Sequence, residues 1–428
     1  MSGMYPNNQV IELFGKQVKW PGLGPDGKFT NGSFTDPLIE PSFIPAETLN
    51  LLLDNMQSVI EGAGLHPNNI EPDQLLRALQ VLAGYGGIGS EGFGIDVDLP
   101  VVAFNTPFLV ATAKRRLTII AGTKIGLGTD TFIAHQDVEL NIPNILYTGS
   151  IANGKDYYLH LIRGGANLDI VASLNKAAPT GLNPANVKCI GGLHTLCANV
   201  GSNLTYVEGE KTKQHPLNGF VAEDILPQSV WCLNHRPHSE PEGMVYIPTL
   251  DFWCDIYLQS GSGENTKSAY QGAITRSRQF GDHVEDMLCV RKELLSDSEF
   301  AIAMMGSNEK TSVAGTNEAA ATAGGAGGRV DTTGRRMISI WGIEEGCGSI
   351  SQYLRDTGPV GGSSWTTQSG NKGDIGGTVH LQIAGGYWSL SAANGSRNRN
   401  TNVTRIGMMN DHSNGGRGRS SPIRVTNI

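Results

Sequence analysis

Charge is scarce in this sequence: Asp, Glu, Lys and Arg make up only 17% of its 428 residues, against about 25% in an average chain. No apolar run approaches the ~18 residues that a membrane helix needs, so insertion as a helical span is excluded. The six cysteines, Cys189, Cys197, Cys232, Cys254, Cys289 and Cys347, include no C-x-x-C pair. They are too few for a disulfide scaffold in so long a chain, and a zinc ribbon or thioredoxin motif is excluded; buried reduced thiols are expected. The opening residues MSGMYPNN lack the basic start and apolar stretch of a signal peptide. No G-x-S-x-G elbow, H-E-x-x-H motif or P-loop is present. The formal net charge of −8 argues against bulk binding to nucleic acid or to an anionic membrane.

Glycine is what the chain has in excess, 56 of 428 residues, about 13% against a usual ~7%. These glycines follow no Gly-X-Y period, which excludes collagen, and hydrophobic residues at 39% supply a core. Many short strands joined by tight turns fit this composition. The length predicts two to four domains.

Residues 1–30 read as an extended polar leader. From Pro45 the pattern turns helical, with Leu49, Leu52, Leu53, Met56, Val59 and Ile60 on one stripe and Gly62 and Gly64 as the stop. A second helix is predicted from Pro72, ending at Gly84, and a Gly-rich linker follows over 84–94. Residues 1–92 are thus a leader plus helical hairpin. Over 93–214 the period becomes that of strands, at 101–104, 117–120, 138–140 and 157–162, with no helix expected; this is read as a β-rich stem. Residues 215–428 hold every tryptophan but Trp20 and read as a well-packed head. The stretch 314–328 (AGTNEAAATAGGAGG) is predicted to be a mobile surface loop, because its side chains bury so little.

Small chemical motifs are weak. His235 with His238, and Cys189 with His194 and Cys197, lack the frame or paired spacing of a metal site. Asp282-His283 and Asp411-His412 read as ordinary polar loop residues. The informative region is the C-terminus, where 386–424 holds six arginines and one acid. A strand-like segment there would put Tyr387, Ser389, Ser391 and Ala393 on one face by the two-residue period. An Asn/Arg-rich stretch follows. It lacks interleaved aromatics for stacking bases, and exposed Asn, Ser, Arg and Tyr on a rigid frame suit adaptable recognition.

These residues carry a resemblance. GGYW at 385–388, GSR at 395–397 and GGRGRSS at 415–421 resemble the variable region of target proteins from diversity-generating retroelements. Upstream, 224–231 (DILPQSVW), 241–245 (PEGMV), 252–258 (FWCDIYL), 334–339 (GRRMIS) and 352–356 (QYLRD) are similar in order to the major tropism determinant family of receptor-binding proteins at phage tail-fibre tips. The resemblance covers roughly 215–428. A weaker one, at Phe29–Gly32, Pro45–Asn50 and Val59–Leu65, is to the leading segment of tail-fibre proteins, which implies contact with fibre or baseplate proteins.

The resemblance implies a mostly β protein with an α+β C-terminal domain: an N-terminal helical segment, a stem like a β-prism or β-sandwich, and a C-type lectin-like head with a variable region at about 386–418. It implies a ligand-binding face of Tyr387, Ser389, Ser391, Ala393, Asn394, Asn398, Asn400, Asn402, Thr404, Met408, Asn410, His412 and Asn414. Gly385, Gly386, Trp388, Gly395, Ser396, Arg397, Gly416, Arg417 and Gly418 would be frame. It further implies a homotrimer on the virion tail fibre, made in the cytoplasm of a bacterial host, that binds a cell-surface receptor, protein or glycan. No catalysis, cofactor, nucleic acid or membrane insertion is expected, with room left for a structural calcium or magnesium ion. The competing readings are an oxidase like the formylglycine-generating enzymes, or a bacterial surface lectin, on the same fold. The oxidases depend on a late cysteine pair, and no cysteine follows Cys347 here. The Glu-Pro-Asn and Trp-Asn-Asp patterns of calcium-dependent sugar lectins are absent as well.

Overall fold

A computed structural model of the chain describes residues 9–13, 15–20, 55–61, 107–164, 167–358, 380–404 and 412–423. The chain divides into two compact units, Met1–Ile95 and Asp96–Ile428. In the first, strands Gln9–Leu13 and Lys16–Trp20 pair antiparallel in register. Gly15 closes their turn at φ +77°, a conformation open to glycine without steric cost. That hairpin corrects the extended leader. Residues 55–61 are helical, as the stripe ending at Val59 and Ile60 predicts; the second helix, the 84–94 linker and the strand at 101–104 lie outside the described residues.

The second unit is mostly β with few helices. Strands Leu109–Ala113, Arg116–Ile119 and Val138–Asn141 form one antiparallel sheet. Strand Asp156–Gly164 is the heart of another, flanked by Asn167–Ser173 and Val187–His194. Its period-2 alternation is buried on both sides. Tyr157, Leu159 and Leu161 point into a core with Leu117, Ile119, Ile125, Ile190 and Leu193. Tyr158 turns the other way, against Trp231, Met244 and Trp253. The absence of helix expected over 95–215 is corrected by one turn at Ile142–Ile145, with Pro143 in its first turn, where a missing N–H costs nothing.

Stem and head share strands. Trp231–Cys232 pairs with Gly191–Gly192, and a methyl on Gly191 would lie 2.5 Å from the Trp231 carbonyl. The paired glycines are what let that strand approach. His194 links the two regions by hydrogen bonds, 2.8 Å from Asp156 and 2.9 Å from the Tyr257 hydroxyl.

In the head, Met244–Ile247, Phe252–Asp255, Gly418–Ser420 and Glu293–Leu294 form one sheet in that order. Gly395–Thr404, His380–Gly385, Ser351–Gly358 and Asn414–Gly415 form the second. Helices Phe280–Cys289 and Asp297–Ala303 each begin with a capping box. The core gathers Phe252, Ile256, Phe300, Met304, Met337, Ile350 and Trp388. Asp282-His283 lies in the first helix with His283 buried, which corrects its assignment to a loop.

The stretch 314–328 is also corrected. Asn317 caps the helix Glu318–Thr322, and Ala321 and Ala326 are fully buried. Gly325, Gly327 and Gly328 all have positive φ; a methyl on Gly327 would lie 2.6 Å from Tyr257. The N–H groups of Gly327 and Gly328 donate to the carboxylates of Glu345 and Glu344, at 2.8 and 3.2 Å. Small residues order this segment because they let backbone, rather than side chains, pack on the core.

Candidate functional site

The candidate surface is carried on a strap whose two ends are locked. At its start, Gly385 and Gly386 adopt φ +85° and +74° and stop the strand His380–Gly385. The chain then makes a turn and a short 3-10 helix at Ser391–Ala393, so the strand expected through Tyr387–Ala393 is corrected. Positive φ at two successive residues cannot continue a pleated strand. Ser389, Leu390, Ser391, Ala392 and Ala393 are nonetheless exposed, Tyr387 is half-buried, and Trp388 is buried beneath them.

Asn394 anchors the turn. Its Nδ2 donates to the Thr311 and Tyr387 carbonyls at 3.0 and 3.2 Å and to Ser312 Oγ at 2.8 Å. Only 3% exposed, it belongs to the frame, a correction of its place on the binding face. Asn414 is corrected in the same sense: it is buried in the strand Asn414–Gly415, which runs parallel to Ser351–Gln352. Ser396 donates from its N–H and Oγ to Glu309 Oε1, at 3.0 and 2.6 Å.

The far end is held by Arg417, which is fully buried. Its Nε donates to Gln352 Oε1 (2.7 Å), its Nη1 to the Asp255 and Ile256 carbonyls (2.9 and 2.7 Å), and its Nη2 to the Glu344 carbonyl (2.8 Å). Gly418 donates to Asp255 Oδ2 at 2.9 Å, and Lys292 pairs with Oδ1 of the same buried carboxylate at 2.6 Å. A methyl on Gly416 would meet Gln259 Oε1.

Arg397 departs from the expected frame, because it is exposed. The neighbouring Arg399 packs instead, stacked 5.0 Å over the Phe300 ring and paired with Asp297. Asn398 is half-buried and bonds the Ala393 carbonyl; Asn400 is exposed. Asn402 and Thr404 lie in the strand Gly395–Thr404, but their side chains, with Met408 and Asn410, are outside the described residues. His412 is exposed, 5.6 Å from the Trp388 ring and 3.7 Å from Glu318 Oε2. Glu318 also pairs with Arg276, a hydrogen bond that holds its carboxyl below the usual range. The surface brought together is thus Tyr387, Ser389–Ala393 and His412, bordered by Glu318 and Arg276. Neither border residue carries a signal in the sequence, since 42 positions separate the pair.

Gly386 gives a direct test of the frame. A methyl there would overlap Asn394 Oδ1, and φ +74° itself disfavours any side chain. Gly386→Val is expected to cost about 3 kcal/mol in urea unfolding, about 1–2 kcal/mol from the backbone and the rest from displacing Asn394. A loss below about 1 kcal/mol would show that this turn is not constrained.

Cys289 is exposed at the end of the helix Phe280–Cys289, which corrects the expectation of buried thiols there; the other five cysteines do not offer nucleophiles. Burial pushes the Cys189 thiol up to about 11 and Cys232 up to about 12, and raises Cys197, Cys254 and Cys347 as well. Thiolate chemistry needs the opposite shift. Among the described residues, no three His, Cys, Asp or Glu side chains converge to hold a metal ion, and no helix is long and apolar enough to cross a membrane.

The geometry defines a class: a β-rich protein that presents an exposed turn of serine and small apolar residues on a buried, hydrogen-bonded frame. The chain shares its fold with solved Major Tropism Determinant variants. It superposes on the I1 variant with a TM-score of 0.56 at 20% identity, and on the U1 variant with 0.55 at 21%, each over 75% of this chain and 84% of the other. Residues 107–232 match the family model described as Mtd second domain. The tail fiber receptor-binding protein of Bordetella phage BPP-1 is 26% identical over 321 residues, 68% of this chain and 80% of that protein. The chain is thus similar to the major tropism determinants in the sequence of their second domain and in the fold of three quarters of its length.

Proposed function

We propose that the chain is a phage tail-fibre adhesin whose C-terminal head has the C-type lectin-like architecture and binds a host-surface receptor, protein or glycan. The observation that carries the reading is the exposed run Ser389–Ala393, with Tyr387 and His412 beside it, on a strap locked by Asn394 and Arg417. Such a turn can change side chains without disturbing the frame, which is what a diversified binding face requires. The relative in Bordetella phage BPP-1, named a tail fiber receptor-binding protein, supports the same reading.

In this reading the protein sits on the virion tail as a homotrimer made in the host cytoplasm. Its first unit faces fibre or baseplate proteins, and weak sites gain strength by avidity. It needs no cofactor and performs no catalysis. A structural calcium or magnesium ion is compatible with this reading. A near-identical DNA repeat beside the gene, differing at adenines, would mark 386–418 as diversified.

The test is adsorption of the labelled full-length protein to a panel of bacterial strains. Tyr387→Ala combined with Ser389→Ala, Ser391→Ala and His412→Ala is expected to reduce adsorption at least about tenfold (~1.4 kcal/mol). The sedimentation coefficient of a trimer should stay unchanged, and the melting temperature should fall only by what the Tyr387 ring contributes in packing on the core and on Trp388. Undiminished adsorption would move the contact surface elsewhere.

A further inference from the structure

A cleft of about 700 Å³ opens beside the strap, between the hairpin at Thr205–Gly209, the segment 301–311, Asp331–Arg335 and Ser396-Arg397. Its size is within the ~300–1,000 Å³ of small-molecule sites. None of the residues placed on the turn lines it.

Three acids, Glu208, Glu309 and Asp331, and three cations, Lys310, Arg335 and Arg397, line this cleft. The acids all accept hydrogen bonds. Asp331 accepts from Thr311 Oγ1, Thr333 N, Thr333 Oγ1 and Arg335 N. Glu309 holds Ser396 through Oε1, and Glu208 is paired with Lys213. Arg335 is spent on backbone carbonyls, among them Thr205 and Gly306. Lys310 and Arg397 differ: both are exposed and line the cleft, and neither side chain has a hydrogen bond or ion pair among the described residues. Among the described residues, Lys310 and Arg397 are therefore the cleft's cations without a partner, and they share it with the carboxylates of Glu309 and Asp331, whose hydrogen-bond donors are neutral.

The remaining surface is hydroxyl-rich. Thr311 and Thr333 donate their protons to Asp331; Thr311 Oγ1 also accepts from Asn308 Nδ2 at 3.3 Å, and the lone pairs left on the two oxygens can accept from hydroxyl groups. Tyr206, half-buried and edge-on to His215, adds an aromatic ring. Two free cations with hydroxyl acceptors and a ring suit a carboxylate-bearing sugar, and an acidic peptide, poor in hydroxyls, less well.

We infer that this cleft is a second ligand subsite, in which Lys310 and Arg397 hold the carboxylate of an acidic saccharide. That the saccharide sits on a host surface rests on the adhesin reading above; the recognition chemistry does not.

Isothermal titration of the full-length protein with trigalacturonate, and with its neutral methyl ester, tests the inference. The acid form is expected to bind at about millimolar Kd or tighter, and the ester at least about tenfold more weakly. Arg397→Gln and Lys310→Gln should each lower affinity about fivefold or more while leaving the melting temperature in place, since both are exposed. No heat up to about 10 mM, equal binding of the ester, unaffected variants, or equal affinity for triglutamate would each overturn it. Adsorption to cells by a protein with no uronate affinity would overturn the subsite and leave the adhesin reading standing. Uronate binding without adsorption to any strain would do the reverse.

Discussion

Arg417→Leu is expected to remove about 4–5 kcal/mol of stability, enough to unfold much of the head at physiological temperature. The wild-type guanidinium is fully buried and donates to three backbone carbonyls and to Gln352. Leucine would leave those acceptors buried without donors, each costing about 1–3 kcal/mol before any relaxation. It would also unpin the strap where it enters the sheet beside Phe252–Asp255. Arg417→Lys keeps the charge but not the planar fork, so it should recover less than half of the loss. Urea unfolding followed by tryptophan fluorescence measures both. A leucine variant within about 1 kcal/mol of wild type would mean that the frame is held elsewhere.

Acid is expected to weaken the protein well above the range in which carboxylates titrate. Burial pushes His215, His235 and His283 down to about 4, with the Arg335 charge adding to the effect at His215. The unfolded chain takes up these protons near pH 6.5 while the native state does not. The stability they represent is therefore present above about pH 6.5 and lost as pH falls toward 4. His215 and His283 are almost wholly buried and should each contribute about 2 kcal/mol of loss between pH 7 and pH 5. His235, less buried, adds in the same direction. Urea midpoints at the two pH values test this, and His215→Gln with His283→Gln should flatten the slope. A midpoint independent of pH over this range would contradict the burial of these rings.

Much of this architecture was legible in the residues. The alternation at Tyr157–Ile162 marked a strand, and the glycines at 385 and 386 marked a break in the backbone. Of the residues that the resemblance implies as frame, Gly385, Gly386, Trp388, Ser396 and Arg417 are buried, whereas Arg397 is exposed. Two of the misread stretches share one cause, which is contact between distant residues. Asn394 looks like any exposed asparagine until Thr311 and Ser312 are placed beside it. The stretch 314–328 looks mobile until Tyr257 and the carboxylates of Glu344 and Glu345 meet its backbone.

Composition and local pattern alone determined that the protein is β-rich and turn-dense, and that an arginine- and asparagine-rich segment lies near its C-terminus. Those properties depend on backbone freedom and on periodicity, which neighbours in the chain decide. Which side chains face outward was decided only in three dimensions. Arg397 and Arg399 are two residues apart in one strand, yet Arg397 is exposed at a cleft and Arg399 covers Phe300. That difference comes from Asp297 and Phe300, about a hundred residues away in the chain, and no local rule of spacing contains it.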